Sequence, residues 1–191
     1  MRFESNKPFA KRSLVFSESA IRDEFGNDVM MDWEHPMMKR HAELVCHAGD
    51  DVLEVGFGMG ISASYIQALK PRMHVIVECH PQVLPRLRAW AKDKANVHVV
   101  EGGWYERRAD LGTYDGIFYD TYADEYAPEF FATFEDYLKP GGRMSFYNLL
   151  PAAENEFGLT CEYHEVAVRP DANDYHEAPK YFAPVCRKPA P

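Results

Sequence analysis

The chain has 191 residues, of which 46% are hydrophobic and 27% are charged, a composition typical of one globular domain rather than a disordered chain. Its 30 acidic and 21 basic residues leave a net charge of −9. A field of that sign repels phosphate backbones, which argues against nucleic acid as a partner and fits a cationic substrate, although solubility alone would explain the charge count. No apolar run reaches the about 18 residues that a membrane-spanning helix needs.

The N-terminal segment, residues 1–29, mixes Lys, Arg, Ser, Phe and Asp without a clear period. We predict that it is an arm or lid outside the main sheet. It contains no apolar core of a signal peptide, so the cytoplasm is the expected location. Residues 30–191 are predicted to form a single domain, because no internal repeat or low-complexity tract divides them.

Helices and strands alternate through most of the chain. The predicted elements are a helix over 33–47, a strand over 51–56, a helix over 60–69, a strand over 73–78, a helix over 82–92, strands over 96–101 and 114–120, a helix over 129–138, a turn over 139–142 and a strand over 143–150. This alternation indicates a parallel sheet with helices on both faces.

The C-terminal tail departs from the alternation. Residues 159–168 and 181–187 are predicted strands, and the segment 151–158 is too short for the crossover that a parallel connection requires. The sequence therefore predicts an α/β, Rossmann-like fold with a mostly parallel seven-stranded sheet and a C-terminal antiparallel hairpin.

Cysteines and histidines are scattered along the chain. Cys46, Cys79, Cys161 and Cys186 form no C-x-x-C pair, and we expect free thiols at all four positions. The eight histidines match no zinc-binding motif, so no metal is expected.

Glycines follow the first strand of the predicted sheet, at Gly56, Gly58 and Gly60. They allow the backbone to turn tightly and to approach a ligand. A dinucleotide site requires the pattern G-x-G-x-x-G, but here Ile61 takes the position of the last glycine. Glu54 precedes the loop, where a negative charge suits the ammonium group of an amino acid better than a pyrophosphate. The pattern therefore favours S-adenosylmethionine over a nicotinamide cofactor.

Two further residues at strand ends support a nucleoside ligand. Glu78 ends the second strand, where a carboxylate can accept hydrogen bonds from both ribose hydroxyls. An ordinary exposed strand-end acid is the alternative. Trp104 follows the third strand, where it could pack against an adenine, although core packing would explain it equally well.

Three segments resemble the guanidinoacetate N-methyltransferases and, equally, the fungal-type arginine methyltransferases that modify the internal, δ nitrogen. They are L-E-V-G-F-G-M-G at 53–60, D-G-I-F-Y-D-T-Y at 115–122, and M-M-D-W-E-H-P-M-M at 30–38. The match extends over about residues 29–187. It implies a class I methyltransferase fold, S-adenosylmethionine as the cofactor and a guanidino group as the methyl acceptor.

The resemblance also implies which residues form the site. Those around the cofactor would be Met30, Met38, Gly56, Phe57, Gly58, Met59, Gly60, Glu78, Cys79 and Trp104. Glu34 and Asp120 would hold the guanidino group. Other substrate-binding residues would be Trp33, Tyr122, Asn148, Leu149 and Leu150. The family pattern has threonine where this chain has Leu150, and the helix that should follow is largely missing, which makes guanidinoacetate itself a doubtful substrate and indicates a more open site.

The two carboxylates suit the chemistry. A guanidinium has a pKa above about 12 and no free lone pair, so it must lose a proton when it attacks a methyl group. Carboxylates match its planar N–H fork, and one can accept the proton. Alone, Asp120 would be explained as a helix cap and Glu34 as a first-turn acid. Their occurrence together in matching segments favours catalysis.

Other interpretations stay open. Methyltransferases that act on nucleobases usually have an N/D-P-P-Y block, whereas residues 120–123 read D-T-Y-A. A non-catalytic binding module could keep the same scaffold, and a different small-molecule amine could be the acceptor. The sequence leaves undetermined the particular guanidine, the nitrogen that is methylated and the oligomeric state.

Overall fold

Three short strands near the N-terminus form a sheet of their own. They are β1 (Leu14–Phe16), β2 (Ala20–Asp23) and β3 (Asp28–Met31), paired antiparallel in the order β1-β2-β3. The computed structural model describes residues 7–150, 152–170, 175–176 and 178–190. Within that range the predicted arm is thus an ordered sheet separate from the main one, and β3 runs across the predicted boundary at residue 29. Its use as a lid stays a prediction.

Seven strands form the main sheet. They are β4 (Asp51–Val55), β5 (Met73–Glu78), β6 (Val97–Glu101), β7 (Tyr114–Tyr119), β8 (Leu138–Phe146), β9 (Glu162–Ala167) and β10 (Lys180–Arg187). The α-helices are α1 (His35–Val45), α2 (Ile61–Ala68), α3 (Leu84–Ala91), α4 (Trp104–Arg107) and α5 (Ala127–Thr133). In the part of the chain that the structure describes, no helix is long and apolar enough to cross a membrane.

The order of the main sheet is β6-β5-β4-β7-β8-β10-β9. Neighbouring strands from β6 to β8 are parallel, whereas β10 pairs antiparallel with both β8 and β9. The predicted α/β, Rossmann-like fold with a C-terminal antiparallel hairpin is therefore confirmed. All carboxyl ends of the parallel strands lie at one edge, where ligands of open α/β sheets bind.

Alternating residues of the central strands face two different hydrophobic clusters. Val52 and Phe118 pack with α1, whereas Leu53 and Ile117 pack with the phenylalanines of α5 and the turn after it. Every residue of β4 is buried, as expected for a strand covered on both faces. Burying a side chain such as Phe118 stabilises the fold by about 2 kcal/mol.

The boundaries around β8 differ from the prediction. The helix expected over 129–138 ends at Thr133 and continues as a 3-10 turn, Phe134–Tyr137. The expected turn over 139–142 lies inside β8. Leu138 pairs with Tyr114 and Arg143 pairs with Gly116, so β8 advances five residues where β7 advances two. The intervening residues therefore form a bulge opposite β7, and β8 ends at Phe146 rather than at residue 150.

Two of the four cysteines are bonded, so the expectation of four free thiols is wrong. Cys161 and Cys186 form a disulfide, with a Cα–Cα distance of 4.4 Å. The register between β9 and β10 explains it, because Val185 faces Glu162 and the next pair along the hairpin is Cys186 and Cys161. Cys46 and Cys79 are free.

Candidate active site

The glycine loop connects β4 to α2 at the carboxyl edge of the sheet. Gly56 has a φ of +94°, and a Cβ there would lie 1.9 Å from the carbonyl oxygen of Asp120. Gly58 has a φ of +53°, and its Cβ would lie 2.3 Å from Sδ of Met30. Both positions require glycine because a side chain would meet these atoms. The loop is therefore enclosed between the end of β7 and Met30.

The glycine loop contacts Met30 on one side and buries the Phe57 ring on the other. The backbone N–H of Met59 donates to Sδ of Met30 at 3.0 Å, which places Met30 against the loop as the family resemblance implies. The Phe57 ring is buried instead, 5.5 Å from the Trp90 ring and directly beneath Gly60. Phe57 thus supports the loop from below, and its backbone rather than its ring faces the strand ends.

Glu78 joins the glycine loop to the end of β5. Its carboxylate accepts hydrogen bonds from the backbone N–H groups of Phe57 at 3.0 Å and His80 at 2.6 Å. Burial raises the pKa of Glu78, and these N–H groups oppose that rise. Burial, followed by the Glu78 charge, raises the pKa of Cys79 to about 12, so this thiol stays neutral.

Trp104 is 3% exposed and lies in the core below the end of β6. Its indole N–H donates to Asp124 Oδ2 at 3.0 Å, and the Tyr119 hydroxyl donates to the same oxygen at 2.6 Å. The Phe130 ring packs against it with 4.9 Å between centroids. Core packing, the alternative to adenine contact, is thus present, and Asp124 is an organising residue of this loop that the sequence analysis missed.

Glu54 and Met38 are fully buried. The Glu54 carboxylate accepts a short hydrogen bond from the Ser62 hydroxyl and lies 2.9 Å from Nε2 of His74. Both oxygens thus meet side chains beneath α2, and a contact of this acid with an ammonium group, directly or through water, stays a prediction. Met38 lies in the core around α1, with no exposed surface.

Asp120 follows β7 and faces the same edge as the glycine loop. Its backbone N–H donates to the Val55 carbonyl at 2.9 Å. Burial, followed by the Glu54 charge, raises the pKa of the Asp120 carboxyl to about 7. Among the described residues no side chain pairs with this carboxylate. It does not cap the next helix, since α5 begins at Ala127 after Tyr126.

Glu34 ends the 3-10 turn that precedes α1. Its Oε1 accepts a hydrogen bond from the backbone N–H of Met31 at 2.7 Å, so it does stabilise this turn locally. The carboxylate is nevertheless 3% exposed and is also hydrogen-bonded to the Tyr175 hydroxyl. A local structural role therefore coexists with a position inside the molecule.

The two carboxylates act electrostatically on one buried hydroxyl. Burial raises the pKa of Tyr181 far above its ordinary value, and the charges of Tyr147, Asp120 and Glu34 raise it further. Both acids thus contribute to the negative field at Tyr181, although they come from different parts of the chain. This arrangement can surround a planar cation with two carboxylates and aromatic rings.

Aromatic residues missed by the sequence analysis complete this region. Tyr147 follows β8, and Tyr175 lies between β9 and β10; their rings are 6.4 Å apart. The Tyr175 hydroxyl is hydrogen-bonded to Tyr147 as well as to Glu34. The strand-end position of Tyr147 was a usable sequence signal, whereas Tyr175 lies in a polar loop without a motif.

Trp33 and Tyr122 lie at different sides of the site. The Trp33 ring is stacked on His176 with 5.9 Å between centroids, close to the aromatic residues around Glu34. Tyr122 instead contacts the N-terminal segment, with its ring 5.3 Å from Phe9 and 5.8 Å from the Arg12 guanidinium. The structure therefore brings Trp33, but not the Tyr122 ring, into the aromatic cluster.

The segment after β8 is organised by Asn148. Its side-chain amide donates to the carbonyls of Glu154 at 3.0 Å and Phe182 at 3.3 Å, and its Oδ1 accepts from the Leu150 N–H at 3.3 Å. Asn148 thus ties this segment to β10. Leu149 is 49% exposed at the surface.

Comparisons with known proteins agree with this architecture. The family model of guanidinoacetate N-methyltransferase matches residues 10–167. Protein arginine N-methyltransferase 2 of Eremothecium gossypii is 35% identical over 190 residues, which cover 84% of this chain and 46% of that protein. The protein of the same name from Yarrowia lipolytica is 33% identical over 199 residues, with coverages of 83% and 42%. The chain spans about half the length of the curated relatives it matches.

Solved structures share the fold at low identity. Aeropyrum pernix fibrillarin, in complex with S-adenosyl-L-methionine, has a TM-score of 0.59 at 16% identity and covers 91% of this chain and 97% of its own. A spermidine synthase has a TM-score of 0.67 at 14% identity, with coverages of 94% and 74%. The chain has the Rossmann-like fold of class I methyltransferases and belongs to the guanidinoacetate N-methyltransferase family.

Proposed function

We propose that this protein transfers a methyl group from S-adenosylmethionine to a guanidino nitrogen, either of arginine, free or in a peptide, or of a small guanidine. The observation that carries the proposal is the position of Asp120 at the carboxyl edge of the sheet, with its carbonyl against Gly56 of the glycine loop, while Asp120 and Glu34 both contribute to the field at Tyr181. The names of the relatives, guanidinoacetate N-methyltransferase and protein arginine N-methyltransferase 2, support the guanidino class.

The glycine loop and Glu78 fit the cofactor. A Cβ at Gly58 would lie against the Met30 side chain. Because glycine has no Cβ, the loop backbone can come close to a ligand. Glu78 ends β5, accepts backbone N–H groups of the glycine loop, and is proposed to accept the ribose hydroxyls of the cofactor. S-adenosylmethionine would supply a methyl group on a positively charged sulfur, which would leave as a neutral thioether when the C–S bond breaks.

Glu34 and Asp120 are proposed to divide the work on the substrate. Glu34, held by the Met31 N–H, binds the guanidinium through its carboxylate. Asp120 has no side-chain partner among the described residues and a pKa raised to about 7, which suits a group that accepts a proton near neutral pH. Asp120 therefore takes the proton that the guanidinium nitrogen loses as its bond to the methyl carbon forms.

Substrate binding itself prepares Asp120. A half-buried carboxyl with a pKa of about 7 is only partly ionised at neutral pH. A guanidinium placed beside it stabilises the ionised form and lowers that pKa. The cationic substrate thus generates the carboxylate that deprotonates it, and a neutral analogue of the same shape gains no such contact.

A groove lies beside Trp33, next to the 3-10 turn that carries Glu34. It encloses about 630 Å³, and its lining includes Asp32 and His35 at the start of α1 and Val168 and Arg169 after β9. The net charge of −9 favours a cationic substrate overall. We propose that the guanidine enters along this side of α1.

The decisive experiment is mass spectrometry of reactions with methyl-labelled S-adenosylmethionine and a panel of guanidines. The panel contains guanidinoacetate, free arginine, agmatine and an arginine-containing peptide, and fragmentation of a product identifies the methylated nitrogen. Label in one of these compounds supports the proposal and separates small guanidines from peptides.

The same experiment can also contradict the proposal. If calorimetry shows that S-adenosylmethionine binds but no guanidine accepts the methyl group, the guanidino assignment is wrong. Label in an amine such as putrescine, added as a comparison, would then indicate methylation of another amine.

A further inference from the structure

Three hydroxyl and carboxyl groups from distant parts of the chain form one hydrogen-bonded series at the site. Glu34 lies at the start of α1, Tyr147 follows β8, and Tyr175 lies between β9 and β10. Tyr175 is hydrogen-bonded to both of the others. An ionised carboxylate only accepts, so the single Tyr175 proton is donated to Glu34, and the bond between the two hydroxyls must use the Tyr147 proton.

Aromatic packing fixes Tyr175 in this position. Its ring centroid lies 5.4 Å from that of Trp33 and 6.4 Å from that of Tyr147, and Tyr147 packs in turn 5.7 Å from Tyr181. Burial raises the pKa of Tyr175 far above its ordinary value, so its hydroxyl remains protonated and remains a donor at every working pH.

We propose that Tyr175, itself oriented by Tyr147, is a positioning residue that holds the Glu34 carboxylate in the orientation that binds the guanidinium. The proposal rests on the function assigned to Glu34 above. The Met31 N–H, at 2.7 Å from Oε1, is the second donor to the same carboxylate.

The principal variant is Tyr175→Phe, which removes one hydroxyl and keeps the ring. We expect the KM for the guanidine to rise about tenfold while kcat changes less than about threefold, because a charge-assisted hydrogen bond that fixes the binding carboxylate is lost. The dissociation constant of S-adenosylmethionine should stay near the wild-type value, whereas the Tm should fall by a few degrees because the buried Glu34 carboxylate loses a donor.

Tyr147→Phe tests the order of the series. Because Tyr147 acts through Tyr175, its variant should raise KM by only about threefold, and the double variant should resemble Tyr175→Phe rather than multiply the two effects. Tyr114→Phe is the matched control. Tyr114 is also buried and its hydroxyl accepts the Gly112 N–H, but it begins β7 at the opposite edge of the sheet, so its KM should not change.

Crystal structures of the wild type and of Tyr175→Phe, both with S-adenosylhomocysteine, provide a readout that does not depend on turnover. The Glu34 carboxylate should rotate in the variant and keep its place in the wild type. An unmoved Glu34 with an unchanged KM overturns the positioning role. A lower KM or faster turnover also overturns it, since Tyr175 would then obstruct the site. If the wild type methylates no guanidine, the proposed function fails, and the two structures alone decide whether Tyr175 positions Glu34.

Discussion

The imidazole of His41 lies with Nε2 2.9 Å from the Tyr181 hydroxyl, and neither side chain has any exposed surface. The Tyr181 oxygen accepts the Asn148 N–H at 2.7 Å, so its own proton is donated to Nε2. His41 is therefore protonated on Nδ1, which donates to Ser145 Oγ at 2.6 Å. Burial lowers the pKa of His41 to about 3, in agreement with a neutral ring.

Tyr181→Phe should destabilise the protein by about 2–3 kcal/mol, because it leaves the Asn148 N–H and Nε2 of His41 buried without partners. Urea unfolding measures the loss. Tyr65→Phe is the matched control, since it removes a hydroxyl that is hydrogen-bonded to His35 near the surface and should cost about 0.5 kcal/mol or less. Equal losses in the two variants would contradict the buried network.

Asp120→Asn should retain S-adenosylmethionine binding and lower turnover by at least about 100-fold, because asparagine cannot accept the proton. The measurements are calorimetry for the cofactor and labelled methyl transfer for the reaction. Asp115→Asn is the control on the same strand, since Asp115 pairs with Lys139 at the opposite edge of the sheet. Wild-type turnover in Asp120→Asn would remove Asp120 from the mechanism.

The rate should depend on pH through Asp120. Only its ionised form accepts a proton, and its pKa is raised to about 7. The value of kcat/KM should therefore rise about tenfold per pH unit below pH 7 and level off above it. Glu54→Gln removes the neighbouring negative charge and should move this rise to lower pH. A profile that is flat from pH 5 to 9 would exclude Asp120 as the proton acceptor.

The Asp120 carboxyl should also make stability depend on pH. The free energy of unfolding should fall as pH rises, whereas the rate should increase. The pKa of Asp120 is higher in the folded state than the ordinary 3.8. The folded protein therefore keeps its full stability below about pH 4, and its free energy of unfolding falls as pH rises to about 7. Asp120→Asn does not ionise and should be more stable than the wild type by roughly 2–4 kcal/mol above pH 7. Denaturant unfolding of both proteins at pH 4 and pH 8 measures the difference, which should vanish at the lower pH.

Glu78→Gln should weaken S-adenosylmethionine binding by about tenfold, because the amide offers fewer acceptor positions to the ribose and to the glycine loop. Calorimetry measures the affinity. Glu101→Gln is the matched control. Glu101 pairs with Glu78 in the neighbouring strand, at the end of β6, but its side chain is exposed and paired with Arg88. The same loss in both variants would argue against a specific role for Glu78.

The Cys161–Cys186 disulfide should stabilise the fold by about 3 kcal/mol, as expected for a closed loop of this length. Cys161→Ser, or a reducing agent added to the wild type, should lower the free energy of unfolding by this amount. Cys46→Ala removes a free buried thiol and should remain sensitive to the reducing agent. Alkylation of four thiols in unreduced, unfolded protein would show that the bond is not formed in solution.

Much of the fold could be predicted because it follows from local patterns. Apolar strands separated by helices indicated the parallel sheet, and the short segment before residue 159 indicated the antiparallel hairpin. Gly56 and Gly58, Glu78 and Asp120 were recognisable because each directly follows or ends a strand, and the carboxyl ends of parallel strands meet at one edge.

Tertiary structure decided what depends on strand register and on contacts between distant segments. Register alone places Cys161 opposite Cys186, and sheet packing turns Glu54 toward Ser62 and His74 instead of toward the loop. The pairing of Tyr147 and Tyr175 with Glu34 joins three elements that no local pattern connects. The sequence by itself determined the helices and strands and the order of the functional residues along them, because hydrophobic periodicity and turn residues act over short distances. Only the folded chain determined which side chains meet, because burial and sheet order act over the whole molecule.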